Sequence, residues 1–193
     1  MYDKGDDDKT KYQQIMDRAL EQLKKNPGYK LYVTGHSLGA ALASLFAFMV
    51  SASEEYWDVV PSPVTCVSIA SPYVGGSNFL EAFQELERLG RLRYLRVANQ
   101  GDLVSIEPFF TINLGFYKHC GMELKLKQFG AEGDACSLMY PKGENTLGNS
   151  LMNNLTIRPI TNHSPKEYGR RLELAKSELE NTQLEDMYQQ QRF

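Results

Sequence analysis

The hydrophobic spacing changes period repeatedly along the chain. Ile15, Ala19, Leu20 and Leu23 recur at helical intervals from Lys11 onward. Lys24 and Lys25 then suit the negative end of a helix dipole, and Asn26-Pro27-Gly28 stops the pattern. Tyr29 to Thr34 is a short β-rich run entering Gly35. Leu38 to Ser53 returns to a helical reading, mostly apolar and carrying the small residues Ala40, Ala41, Ala43 and Ala47. A helix apolar nearly all round is expected inside a core, pressed against a sheet. After the Pro61-Ser62-Pro63 turn, Val64 to Ala70 reads as a buried strand of the parallel type. Gly75-Gly76 marks a loop, Phe79 to Leu89 an amphipathic helix ended by Gly90, and Leu92 to Ala98 a third strand.

This α, β, α, β, α, β alternation predicts a parallel α/β sheet with helices on its faces. Past Asn99 the pattern loosens. Met122 to Phe129 alternates like an exposed edge strand, and the polar, glycine-rich stretch Gly130 to Ser150 reads as an excursion loop. A last helix is expected from Ser164, with Ser164-Pro165-x-Glu167 as a capping box and Tyr168, Leu172, Ala175 and Leu179 on one stripe. Met1 to Thr10, with four Asp and two Lys, reads as a solvated loop, and residues 182–193 as a frayed polar tail. There is no internal repeat.

Composition narrows the function classes. The 193 residues are 42% hydrophobic and 23% charged, ordinary for a globular domain with a sizeable core. A net charge of −3 speaks against a broad nucleic-acid surface. The uncharged run from Leu38 to Val50 is too short to span a bilayer. No basic stretch followed by an apolar run opens the chain, so no secretory signal is read, and a soluble, cytoplasmic chain is the default expectation. Cys66, Cys120 and Cys136 cannot all pair and show no C-x-x-C spacing, which predicts free thiols in a reducing compartment. Two glycosylation triplets occur, at Asn154 and Asn162.

The chemistry concentrates at Gly35-His36-Ser37-Leu38-Gly39. A bare G-x-S-x-G is weak, but here a β-rich run precedes it and a small-residue helix follows. A sharp strand-to-helix turn presents the serine on a strained backbone at a helix N-terminus, and the flanking glycines let helix and strand approach. The alternative is a serine that only caps a core helix. An activated serine needs a base, and the base an orienting carboxylate, in chain order Ser, Asp or Glu, His. Asp102 follows the third strand on a loop at the same sheet edge as Ser37, although a turn aspartate beside Gly101 would look the same. Of three histidines, His36 should point away from the Ser37 side chain. His163, just before the last helix, is the expected base, and His119 is the alternative. The Leu38 N–H is the expected oxyanion donor. No H-E-x-x-H, zinc spacing or phosphate-cradling glycine loop occurs, so neither metal nor cofactor is expected.

Four segments together resemble the class 3 (fungal-type) lipase family, of α/β-hydrolase fold. They are Tyr29 to Ala43, Ser71-Pro72-Tyr73-Val74-Gly75, Asn99-Gln100-Gly101-Asp102-Leu103-Val104, and Asn162-His163-Ser164 with Tyr168. The resemblance implies Ser37 as nucleophile, Asp102 and His163 as its partners, an acyl lipid ester as substrate, and transient contact with a lipid surface. It makes His119 structural. Family members carry a longer segment before the serine, with further strands, a lid helix and a loop giving a second oxyanion donor. Here 36 residues precede Ser37. The chain is therefore expected to be one partial α/β-hydrolase domain lacking the N-terminal side, with its nucleophile strand at a sheet edge. Losing one oxyanion donor costs about 10²–10³ in rate. The competing expectation is a non-catalytic fragment or interaction module.

Overall fold

The computed structural model describes residues 9–107, 117–130, 133–140, 159–180 and 182–184. Most of the expected tail and of the expected N-terminal loop therefore lies outside the described residues, as does the second half of the 130–150 stretch.

Helix α1, Lys11–Lys25, starts from a capping box that periodicity alone did not reveal: Gln13 N–H donates to the Thr10 side chain and the Thr10 N–H to that of Gln13. Strand β1 is Tyr32–His36, nearer to Ser37 than the expected Tyr29–Thr34 because His36 still pairs with Ile69. Helix α2 is Leu38–Ala52, β2 Val64–Ile69, α3 Ser77–Arg88 and β3 Leu92–Asn99. Then follow β4, Met122–Leu126, β5, Cys136–Met139, and three helices: α4, Pro159–His163, α5, Pro165–Leu174, and α6, Lys176–Leu179.

The strands form one sheet in sequential order, parallel from β1 to β4 and antiparallel at β5. Two readings are corrected here. Strand β4 is interior rather than an exposed edge, and β5 lies within the stretch read as a loop. The charged positions of β4 misled the pattern: Glu123 pairs with Arg96 of β3 at 3.0 Å, both largely buried, so the alternation reflects an ion pair between neighbours. Strand β5 is only four residues long and follows Gly133 and Asp134, which leaves little periodicity to read.

Alternation along β2 and β3 divides the core. Cys66, Leu92 and Tyr94 pack with Met16, Ala47, Val50 and Phe83 from the three N-terminal helices. Val67, Ile69, Leu95 and Val97 face Tyr168, Leu172 and Ala175 on the other side. The expected stripe on the last helix thus exists, although the helix breaks at Ala175. Its start holds half of a capping box: Ser164 Oγ accepts from Glu167 N–H, while the Glu167 carboxylate turns to Arg170 and Arg171.

Helix α2 departs from its expected all-round burial. Ala40, Ala43, Ser44, Ala47 and Val50 are buried, whereas Leu38, Leu42, Leu45 and Met49, spaced at helical intervals, are exposed. Among the described residues, strand β1 lies at one end of the sheet with β2 as its neighbour.

Candidate active site

The parallel strands end together, and their carboxyl edge carries the site. Ser37 follows β1 with φ 58° and ψ −127°, a conformation that costs a non-glycine residue about 1–3 kcal/mol. Its N–H is held by the Ile69 carbonyl at 3.0 Å, and its own carbonyl accepts from the N–H groups of Ala40 and Ala41. The two motif glycines are not equivalent. A Cβ on Gly35 would collide with the Gly39 carbonyl and lie 2.7 Å from Ala40 N, whereas one on Gly39 would meet nothing within 4 Å. Close approach therefore needs Gly35; Gly39 contributes the backbone it approaches.

Asp102 follows β3 through Gly101, whose φ of 84° suits glycine. His163 ends α4. Its Nε2 stands 2.9 Å from Ser37 Oγ, placed to accept the hydroxyl proton. Its Nδ1–H donates to Asp102, at 3.1 Å from Oδ1 and 3.0 Å from Oδ2. Ser37, Asp102 and His163, separated along the chain by 65 and 61 residues, are thereby joined by hydrogen bonds. The Asp102 side chain is fully buried, and burial of that group demands donors. Besides His163 it receives the Tyr168 hydroxyl at 2.8 Å on Oδ2 and the Val104 N–H at 3.0 Å on Oδ1. Tyr168 accepts from the Asn99 N–H, and burial followed by the Asp102 charge pushes its phenol far above the usual range.

His36 packs against His163. Its Nε2 lies 3.1 Å from the His163 carbonyl and its ring 4.9 Å from the His163 ring. Sequence reasoning missed this contact because it joins residues 127 apart. His119 stacks on Tyr73 with ring centroids 3.8 Å apart. Burial, reinforced by Arg96, holds its imidazole well below the usual range, so it stays neutral. The three thiols are free, and burial pushes those of Cys66 and Cys120 up to about 12, which leaves them poor nucleophiles. Among the described residues no three His, Cys, Asp or Glu gather as metal ligands would. No described helix is long and apolar enough to cross a membrane.

Asn162 is buried, so the glycosylation triplet it begins is closed in the folded chain; the one at Asn154 lies outside the described residues. The strand, turn and helix around Ser37, with a carboxylate and then a histidine following in this chain order, match the pattern of α/β-hydrolases. The family model for lipase (class 3) matches residues 7–112, more than half of the chain. The chain belongs to the class 3 lipase family. The matched span holds Ser37 and Asp102; His163 lies beyond it and joins them through the fold.

This class 3 lipase member is 29% identical over 143 residues to the chloroplastic galactolipase DONGLE of Arabidopsis thaliana, covering 64% of this chain and 30% of that protein. It is 40% identical over 106 residues to phospholipase A1-II 3 of Oryza sativa subsp. japonica, covering 52% and 23%. Among solved structures it resembles lipase II from Rhizopus niveus at a TM-score of 0.57 and 26% identity, covering 79% of this chain and 54% of that one. The lipase of Rhizopus microsporus var. chinensis matches at a TM-score of 0.55 and 24% identity. The fold is that of the α/β-hydrolases, a mostly parallel sheet flanked by helices. The chain spans less than a third of these plant relatives and about half of the fungal structures.

Proposed function

We propose that this chain carries the serine chemistry of an acyl-lipid ester hydrolase, with Ser37 as nucleophile, His163 as general base and Asp102 as the group that orients the imidazole. The observation that supports this most is the unbroken hydrogen-bonded path from Ser37 Oγ through both nitrogens of His163 to the buried Asp102 carboxylate. In this reading Ser37 Oγ attacks the ester carbonyl while its proton passes to His163 Nε2. The oxyanion sits against the Leu38 N–H, next to the nucleophile at the start of α2, where the helix dipole favours negative charge. Collapse expels the alcohol, which takes the proton from His163 and leaves the acyl group on Ser37. Water then gives a proton to the same imidazole, attacks the acyl carbon and releases the fatty acid, and Ser37 recovers its proton.

The names of the plant relatives direct the substrate towards glycerolipids with polar headgroups, phospholipids or galactolipids, rather than acyl esters in general. Incubation with phosphatidylcholine and galactosyl diacylglycerol micelles is expected to release free fatty acid. Ser37→Ala is expected to remove that activity by a factor on the order of 10⁶, the loss typical of deleting a triad nucleophile. A folded chain that releases fatty acid from neither lipid, nor from a p-nitrophenyl ester, would instead be a non-catalytic module.

A further inference from the structure

The residue before the base and a buried arginine tie the helix that bears His163 to the loop that bears Asp102. Asn162 is 3% exposed, and each polar atom of its side chain reaches across a gap. Its Nδ2 donates to the Gly101 carbonyl at 3.1 Å, immediately before Asp102. Its Oδ1 accepts from Arg171 Nη2 at 2.6 Å, and its main-chain carbonyl accepts from Asn99 Nδ2 at 2.8 Å. Arg171, on α5, is 1% exposed. From there its Nη1 donates to the Gln100 carbonyl at 2.9 Å and, more weakly, to the Leu126 carbonyl at 3.4 Å, while Nε is held by Glu167 at 2.8 Å.

A guanidinium so deeply buried is costly unless its donors are satisfied, and a planar fork reaches several acceptors that an ammonium could not. Four elements thus meet on one cation: the Asp102 loop, α4, the end of β4 and α5. We infer that Asn162 and Arg171 are positioning residues, a clamp that sets the distance between the His163 imidazole and the Asp102 carboxylate. The inference rests on the triad reading above. It explains how a base contributed from the far end of the chain meets its carboxylate at hydrogen-bond distance. Misplacement of reacting groups by about 1 Å can cost on the order of 10²-fold in rate.

The test compares Asn162→Ala and Arg171→Lys with the unaltered chain by p-nitrophenyl ester kinetics, thermal melting, and the low-field proton resonance of the His163 Nδ1–H. In folded Asn162→Ala, kcat is expected to fall by about 10²-fold with KM within about two-fold, and the resonance to shift or vanish. Arg171→Lys, which keeps the charge and loses the fork, is expected to lose less, and it carries the comparison if Asn162→Ala does not fold. A folded variant with an unaltered kcat and an unmoved resonance would overturn the clamp, whatever its melting temperature. If the unaltered chain turns over no ester, the triad reading fails. The resonance, compared between the unaltered chain and the variants, then decides the clamp on geometry alone.

Discussion

At Ser37 the left-handed backbone is sustained by a contact that a single methyl group would destroy. Gly35 lies against the Gly39 carbonyl and Ala40 N, so strand and helix can meet only where Gly35 has no side chain. Gly35→Ala is expected to lower stability by about 1–3 kcal/mol, the usual cost of forcing atoms into a packed site, with loss of the Ser37 geometry. Gly39→Ala, with open space at its Cβ, is expected to change stability by less than about 1 kcal/mol and in the favourable direction, since alanine is the better helix former. Urea unfolding of the two variants checks the contrast, and equal losses would contradict it. The motif reads the two glycines alike, because spacing carries no information about which one faces the other's backbone. That Ser37, Asp102 and His163 lie within hydrogen-bond reach of one another was legible from their order along the chain. The contacts of His36, Asn162 and Arg171 were not, since each depends on a neighbour that only the folded chain brings near.

Among the elements, those with strong periodicity, α1, α2, α3, β2 and β3, were legible to within a few residues. Strand β4 was misplaced because a buried Arg96–Glu123 pair imitates the alternation of an exposed edge. The start of α5 was half legible: its cap is present, but Glu167 serves the arginines instead of the cap. That choice has a pH consequence. Arg170 first, and then Arg171, hold the Glu167 carboxyl down to about 2, well below its ordinary value. A carboxyl lowered on folding stabilises the native state above its unfolded value, and that stabilisation is lost as pH falls towards the folded value. The thermal midpoint is therefore expected to fall on acidification from about 4.5 to about 2. Glu167→Gln is expected to show a shallower acid limb. Parallel acid limbs for the two proteins would refute the role given to Glu167.

For the whole molecule, two apolar layers on opposite faces of one sheet bring the ends of β1 and β3 and the start of α5 to a common edge. The fold class was legible because the α, β alternation in the first half already specifies parallel strands. The apolar outer side of α2 was not, since composition does not say which side of an all-apolar helix meets the sheet. Leu38, Leu42, Leu45 and Met49, beside β1, the end strand among the described residues, form an apolar stripe of the kind that drives self-association. Leu42→Lys combined with Leu45→Lys is expected to reduce concentration-dependent light scattering while leaving the thermal midpoint nearly unchanged. A large fall in the midpoint would mean that these side chains are packed.

The central claim is that Ser37 is an activated nucleophile served by His163 and Asp102, and covalent labelling tests it most directly. Incubation with a fluorophosphonate, followed by intact mass measurement and peptide mapping, is expected to give one adduct, on Ser37. The adduct should be absent from Ser37→Ala and should form far more slowly in His163→Ala. A folded chain that takes up no label, or takes it up equally fast without His163, would contradict the account.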